Sequence, residues 1–237
     1  MSVSRGAATA VTHVVAISPH LDDAAFSVGG LLAARARAGD RITIVTCFTG
    51  NVAQPQGFAL ACQLDKGLDA AVDYMALRRE EDLAACAVIG AEAIHLSFLE
   101  APHRGYASAA ELFAERRMDD GVLLPLTYAL GELVESLAPD LLLGPLAVGD
   151  HVDHWIVRDA LAASAQRLML WEDWPYLRRA GPQEATPAVS HPLTDDDRQA
   201  RLAMCGAYTS QLGFQFGGAA GLQEQIAGIV EERLYEL

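Results

Sequence analysis

The sequence predicts an α/β fold in which helices cover both faces of a mostly parallel sheet. Short apolar runs alternate with segments of helical periodicity along the 237 residues, which is the order of a parallel α/β sheet. The strand candidates are continuously apolar rather than alternating, as expected for strands buried on both faces. Apolar residues make up 51% of the chain, enough for a sizeable core.

Each predicted element has a local signal. Strand candidates are apolar and β-branched, and helix candidates stop at a glycine or before a proline. Strands are predicted at 14–17, 41–48, 93–99, 140–147 and 168–176. Helices are predicted at 24–39, 74–90, around 126–137 and at 154–166. Three longer connections, 49–66, 101–121 and 178–194, are expected to be binding loops within one domain spanning 1–237, after a flexible arm at 1–12.

Composition excludes several classes of function. The formal net charge is −14, so the surface should repel nucleic acid and anionic membranes. No apolar stretch reaches the ~18 residues of a membrane span, and the first residues lack the apolar region of a secretion signal. The four cysteines form no C-x-x-C pair, which favours free thiols in a reducing compartment. We therefore expect a cytoplasmic protein whose oligomeric state the sequence leaves open.

Two polar clusters follow strand candidates. "SPHLDDA" (18–24) comes after the first strand, and "GDHVDHW" (149–155) comes after the fourth. Ligands of doubly wound sheets bind at the carboxyl ends of the strands, where the strand order reverses. The two clusters are therefore expected to face one another across this crevice, although their starts, residues 18 and 149, lie far apart in the sequence.

The residue types in these clusters suit a catalytic divalent metal. His20, Asp23 and His154 supply two imidazoles and one carboxylate, a set that binds Zn²⁺ or Fe²⁺ and leaves coordination positions open for water. His151 lies three residues before His154 and would share its helix face. Asp22 could act as the general base toward the activated water.

Other polar and aromatic residues have predictions of their own. His13 and His95 are expected to be ordinary sheet residues and His191 a loop residue. His103, Arg104 and Trp171 are candidate substrate contacts, the last within the aromatic stretch "WEDWPY". Gly29 and Gly30 are expected to pack a helix onto the sheet, since no G-x-G-x-x-G or P-loop pattern follows a strand. A nucleotide-binding oxidoreductase is therefore disfavoured.

Taken together, "SPHLDDA" and "GDHVDH" resemble the paired motifs of the PIG-L/LmbE-like family of metal-dependent N-deacetylases. The stretches "RREEDLAACAVIGAEAIHLSFLE" and "RLAMCGAYTSQ" also resemble that family, so the likeness runs from about residue 14 to residue 211. The resemblance implies a Rossmann-like sheet, with Zn²⁺ held by His20, Asp23 and His154. It implies that Asp22 is the general base, that His151 stabilises the oxyanion and that Asp153 orients His151.

The chain departs from the family pattern His-Pro-Asp-Asp-Glu at two positions, with Leu21 for the proline and Ala24 for the glutamate. Gly149 also stands where some members carry a tyrosine. The resemblance implies removal of an acetyl or acyl group from the amine of an N-acylated sugar or sugar-bearing molecule. Two alternatives stay open, an amidase for a non-sugar amide such as a thiol conjugate, and an inactive binding protein on the same fold.

Overall fold

The computed structural model describes residues 11–163, 167–181 and 183–237. Its strands form one sheet of seven, and their bounds are β1 (His13–Ser18), β2 (Arg41–Thr46), β3 (Glu92–His95), β4 (Leu141–Pro145), β5 (Leu168–Trp171), β6 (Val189–Pro192) and β7 (Glu231–Glu236). The spatial order is β3-β2-β1-β4-β5-β7-β6. The first five strands pair in parallel, and β7 and β6 extend the sheet antiparallel beyond β5.

The point where the strand order reverses lies between β1 and β4. From β1 the chain builds β2 and β3 on one side, then crosses over to build β4 and β5 on the other. The carboxyl ends of β1 and β4 consequently lie side by side, because the two strands pair in parallel. This confirms the fold class and the expectation that the clusters 18–24 and 149–155 face each other.

Helices cover both faces of the sheet, and a short 3₁₀ turn lies at Ala101–His103. Their bounds are α1 (Asp23–Arg37), α2 (Gly57–Asp65), α3 (Tyr74–Ile89), α4 (Ala109–Leu112), α5 (Leu123–Leu137), α6 (Val152–Ala162), α7 (Leu177–Ala180), α8 (Asp195–Gly206), α9 (Thr209–Phe216) and α10 (Ala219–Ala227). No helix in the described ranges combines the length and apolar character needed to cross a membrane.

The apolar core has one cluster on each face of the sheet, and successive residues of β1 alternate between them. Val14 and Ala16 pack with α1, α3 and α8, whereas Val15 and Ile17 pack with α5 and α6. The strand is buried along its whole length, which explains its unbroken apolar sequence. This rigid central strand carries the first polar cluster at its end.

The structure corrects several sequence predictions. The three long connections contain short regular elements, among them α2, α4 and α7. His191 lies in β6 and is half-buried, not in a loop. The antiparallel strands β6 and β7 were not predicted, because prolines and charges interrupt their apolar pattern. Most of the predicted arm, residues 1–10, lies outside the described residues.

Candidate metal centre and active-site cleft

The predicted metal ligands meet at the carboxyl ends of β1 and β4. Asp23 Oδ2 lies 3.0 Å from Nδ1 of His20 and 3.2 Å from Nε2 of His154. Candidate ligand atoms of the three residues lie within 4.8 Å of one another, and all three residues are buried. Among the described residues, Nε2 of His154 is buried without a hydrogen-bond partner. This orphaned nitrogen and the nearby carboxylate fit a divalent cation, and the donor set suits Zn²⁺ or Fe²⁺.

Each histidine of this set has a carboxylate at its other ring nitrogen. Nε2 of His20 lies 2.9 Å from Asp153 Oδ2, and Nδ1 of His154 lies 2.7 Å from Asp173 Oδ1. Asp173 also accepts a 2.8 Å hydrogen bond from the backbone N–H of Val148, which fixes its carboxylate. Carboxylates in this position hold the ring orientation of metal-binding histidines. Both imidazoles are therefore aimed at Asp23.

The pKa values of Asp23 and the two histidines depend on one another. Burial disfavours charged side chains, yet the Asp23 carboxylate raises the pKa of His154 to about 9 and raises that of His20 as well. The two histidines in turn hold the pKa of Asp23 well below its usual range, despite burial. The carboxylate is thus kept ionised and draws positive charge to this point.

The Asp153 side chain bonds to His20 and not to His151, and its role in orienting His151 stays a prediction. Its carboxylate contacts His20, the backbone N–H of Ala101 at 3.1 Å and the guanidinium of Arg104 at 2.7 Å. Only the backbone N–H of Asp153 reaches His151. A ring nitrogen of His151 still lies within 4.8 Å of an Asp153 carboxylate oxygen and of a ring nitrogen of His20. The Asp153 carboxylate holds the His20 ring in place.

The structure places the three candidate substrate contacts in different surroundings. Arg104 donates to Asp120, to the backbone oxygen of Leu99 and to Asp153, so the geometry gives it a positioning role in place of substrate contact. Trp171 is fully buried in β5 and offers no surface to a substrate, so that prediction is wrong. His103 is half-buried beside a small cavity next to the cleft, and burial lowers its pKa.

Asp22 lies beside the metal centre and borders the cleft. Its backbone has φ of 135°, a region that non-glycine residues rarely adopt, and α1 begins at the next residue. This turn sends the carboxylates of Asp22 and Asp23 in different directions. Burial raises the pKa of Asp22 to about 7, although the Arg78 guanidinium, 2.8 Å away, lowers it. Arg78 also donates to Glu100 and to the backbone oxygen of Leu21.

His151 occupies the N-cap of α6. Its Nδ1 accepts a 3.2 Å hydrogen bond from the backbone N–H of Asp153, so the neutral ring carries its proton on Nε2. Burial holds the pKa of His151 well below its usual value, which favours that neutral ring. Its ring packs edge-on against Phe113, at 5.3 Å between centroids, and lies 5.8 Å from Tyr176.

Tyr176, the last residue of the aromatic stretch "WEDWPY", lines the cleft. Its ring centroid lies 4.9 Å from that of His154. A Cβ at Gly149 would lie 2.7 Å from Cβ of Tyr176, and Gly149 has φ of +86°. The glycine that replaces a family tyrosine therefore makes room for Tyr176 against both histidines of the second motif.

The other two departures from the family motif, Leu21 and Ala24, are both buried. Ala24 is buried, and its backbone N–H donates to Ser18 Oγ at 3.1 Å. Ser18 also donates to the backbone oxygen of His20 at 2.7 Å, so this serine links the strand end to the first turn of α1. Leu21 is fully buried.

A cleft of about 480 Å³ opens over the centre. Its walls combine aromatic, apolar and charged side chains. Besides His20, Asp22, His151 and Asp153, the lining includes Phe58, Cys62, Asp65, Lys66, Tyr74, Arg78, Glu100, Pro102, Leu112, Phe113, Pro175, Tyr176, Arg179, Gln211 and Phe214. Such a volume accommodates a small molecule.

Comparison with known proteins finds relatives that are named as deacetylases. The chain is 37% identical to the 2'-N-acetylparomamine deacetylase of Streptomyces fradiae over 174 residues, which are 71% of this chain but 58% of that relative. The chain thus spans little more than half the length of the curated relative.

Two solved structures share nearly the whole fold. The A40926 pseudoaglycone deacetylase is 28% identical, with a TM-score of 0.79 over 95% of this chain and 96% of its own. A deacetylase of the teicoplanin biosynthesis pathway is 25% identical, with a TM-score of 0.81 over 94% and 97%. The family model of the GlcNAc-PI de-N-acetylases matches residues 15–165. Since that match covers more than half of the chain, the protein belongs to the PIG-L family.

Proposed function

We propose that this protein is a metal-dependent hydrolase that removes an acetyl or acyl group from the amine of an N-acylated sugar or sugar-bearing small molecule. The observation that carries the proposal is the buried set His20, Asp23 and His154, of which His20 lines a cleft together with Asp22. The relatives support it, since they are named as deacetylases.

We assign the metal site to His20, Asp23 and His154, and zinc is the metal that this donor set favours. When bound, the metal would supply Lewis acidity, polarising the amide carbonyl and making water a stronger acid. Asp153 and Asp173 hold the two imidazoles in place for it. Fe²⁺ remains a second candidate for the same donors.

The chain's own groups would handle the protons and the developing charge. Asp22 borders the cleft and takes a proton from the attacking water, while Arg78 holds the carboxylate in position. His151 presents Nε2–H, because its Nδ1 is committed to the helix N-terminus, and donates to the oxyanion as it forms. Asp22 then returns its proton to the departing amine. His151 acts here as a neutral donor and needs no extra proton.

The substrate is proposed to be an N-acylated small molecule, on the basis of the cleft size and the compounds after which the relatives are named. A non-sugar amide fits the same chemistry, so the assay must offer both. We also propose a cytoplasmic location, supported by four cysteines that are all free thiols.

An amine-release assay tests the function. Purified protein, stripped of metal and then reloaded with zinc, is given N-acetylglucosaminides, N-acetylated natural products and thiol conjugates. We expect zinc-dependent release of amine from the sugar-bearing compounds. We expect Asp22→Asn to reduce kcat by at least about 100-fold while still binding zinc. The control Asp159→Asn, on the exposed side of α6, should keep full activity.

Three results would overturn parts of the proposal. Release only from thiol conjugates would move the protein to the amidase alternative. Zinc binding without hydrolysis of any compound would favour the binding-protein alternative. Full activity in Asp22→Asn would remove that residue from the role of general base.

A further inference from the structure

Lys66 is the single lysine of the chain, and it borders the active-site cleft. It follows α2, and its ammonium donates to the backbone oxygen of Cys62 at 3.0 Å. The nitrogen lies 4.8 Å from the ring centre of Phe214 and 5.4 Å from that of Tyr74. Across residues 11–163, 167–181 and 183–237, the ammonium forms no salt bridge with a carboxylate.

Arg179 is a second cation of the same cleft with no acidic partner in those ranges. It lies in α7, and its guanidinium carbon is 4.1 Å from the ring centre of Phe113. Most other arginines in the described part of the chain bond to carboxylates or to backbone oxygens, as Arg104 does. Arg179 instead rests on an aromatic face and keeps its N–H donors available.

One aromatic ring separates each cation from a group assigned to the reaction. The ring of Tyr74 lies near Lys66 and also near the guanidinium of Arg78, at 5.6 Å, which in turn binds Asp22. The ring centre of Phe113 lies 4.1 Å from the Arg179 guanidinium carbon and 5.3 Å from the ring centre of His151. Each cation therefore contacts a ring that also contacts a group of the proposed reaction.

The acids of the cleft are mostly neutralised by other residues. Asp22 and Glu100 share Arg78, and Asp153 is held by His20 and Arg104. Asp65 is the remaining acid of the described lining, and it is exposed. The available charge in the cleft walls is therefore positive, although the whole chain carries −14. A partly buried cation without a counter-ion is costly, and a substrate anion would remove that cost.

We propose that the cleft selects N-acylated substrates that carry an anionic substituent, a carboxylate or a phosphate, and that Lys66 binds it with assistance from Arg179. The proposal rests on the hydrolase function proposed above. It also sets the substrate apart from polycationic acceptors, which these two cations would repel. An anionic substrate would differ from the acetylated aminoglycoside after which one relative is named.

The test measures KM and kcat of the zinc-loaded protein for a set of matched N-acetyl sugars. The neutral probe is methyl N-acetylglucosaminide, the anionic probes are N-acetylglucosamine 6-phosphate and N-acetylmuramic acid, and the cationic probe is an N-acetylated aminoglycoside. We expect KM for the better anionic probe to be about tenfold below that of the neutral probe. Lys66→Met should abolish this preference through KM, with kcat nearly unchanged, and Lys66→Arg should retain it.

Arg178→Met is the matched control, because the Arg178 side chain bonds to Gln225, away from the cleft. It should leave the preference intact, whereas Arg179→Met should reduce it. Equal KM for neutral and anionic probes, or an anion preference that survives in Lys66→Met, would overturn the proposal and leave the hydrolase function standing. A preference for phosphate over carboxylate, or the reverse, identifies the anion.

The two proposals can fail separately. If no probe releases amine, the hydrolase function fails, and equilibrium binding of the same sugars then decides on the anion site alone. Tighter binding of an anionic than of the neutral sugar, lost in Lys66→Met, would support the site. Equal binding of both sugars, or an unchanged difference in that variant, would overturn it.

Discussion

At the scale of single residues, adjacent aspartates are separated by the backbone. Asp22 adopts an unusual φ just before α1, and Asp23 is the first residue of that helix. One carboxylate therefore joins two histidines, while the other meets Arg78 at the cleft. The sequence could predict the pair, because a histidine and two aspartates directly follow a buried strand.

The supporting residues could not be predicted in the same way. Asp173 contacts His154 across 19 positions of sequence, and Arg78 contacts Asp22 across 56. Neither contact follows from periodicity or motif spacing, because each depends on how separate elements pack. Asp153 shows the converse case, since its place between two histidines suggested His151 as its partner, whereas its carboxylate bonds to His20. Tertiary contact, not proximity in sequence, gives these residues their roles.

At the residue scale, we predict the effect of Asp173 on zinc affinity. Asp173→Asn keeps the size of the side chain but removes the charge that holds Nδ1 of His154. We expect zinc affinity to fall about 10- to 100-fold, as measured by competition with a chromophoric chelator. Asp159→Asn serves as the control and should bind zinc like the parent protein. An unchanged dissociation constant in Asp173→Asn would show that the carboxylate does not support the metal ligand.

At the scale of elements, helix starts and strand ends build the site. His151 caps α6, and Asp23 begins α1, so both polar clusters lie where a strand gives way to a helix. The sequence predicted β1, β2 and the main helices well, because their periodicity is strong. It missed β7, because four of its six residues are charged and only Leu234 and Tyr235 supply an apolar signal.

The start of α8 allows a prediction on stability. Thr194 and Asp197 form a capping box, in which Thr194 Oγ1 accepts from the Asp197 backbone and Asp197 accepts from the Thr194 backbone. Thr194→Ala should lower the free energy of unfolding by about 1 kcal/mol. Urea denaturation measures the loss. Thr127→Ala, which removes a hydroxyl inside α5, should cost less than about 0.5 kcal/mol.

The decrease in the free energy of unfolding caused by Thr194→Ala should depend on pH. Burial would raise the pKa of Asp197, but hydrogen bonds from Thr194 and the Arg37 guanidinium lower it. A carboxyl group whose pKa is lower in the folded than in the unfolded protein stabilises the fold when pH lies above its unfolded-state pKa of about 4. This stabilisation is lost as pH falls through the folded-state pKa. The difference between parent and Thr194→Ala should therefore be full near pH 7 and shrink below about pH 4. A difference that grows on acidification would contradict this account.

At the scale of the whole molecule, the proposed metal centre lies between the two halves of the parallel sheet. His20 follows β1, and His154 lies in the helix after β4, so one cation would tie together segments 134 positions apart. Binding to the folded state alone stabilises a protein by mass action. The site should consequently contribute to global stability and not only to chemistry.

Thermal unfolding checks this expectation. Free zinc at about 100 times its dissociation constant should stabilise the protein by about 2.7 kcal/mol relative to protein in chelator. His154→Ala should lose this increment, whereas His191→Ala, on a strand at the far edge of the sheet, should keep it. A full increment in His154→Ala would place the stabilising zinc elsewhere.

The single lysine has a practical consequence for anyone handling this protein. Amine-directed reagents have one side-chain target in the chain, and that target borders the cleft. Amine coupling to a dye, a bead or a sensor surface is therefore directed to Lys66, and a free α-amino group is the competing amine. The attached group would occupy the substrate's path. Immobilisation through an arginine-free, lysine-free tag would keep the cleft open, and deliberate acylation of Lys66 would provide a covalent reporter of its occupancy.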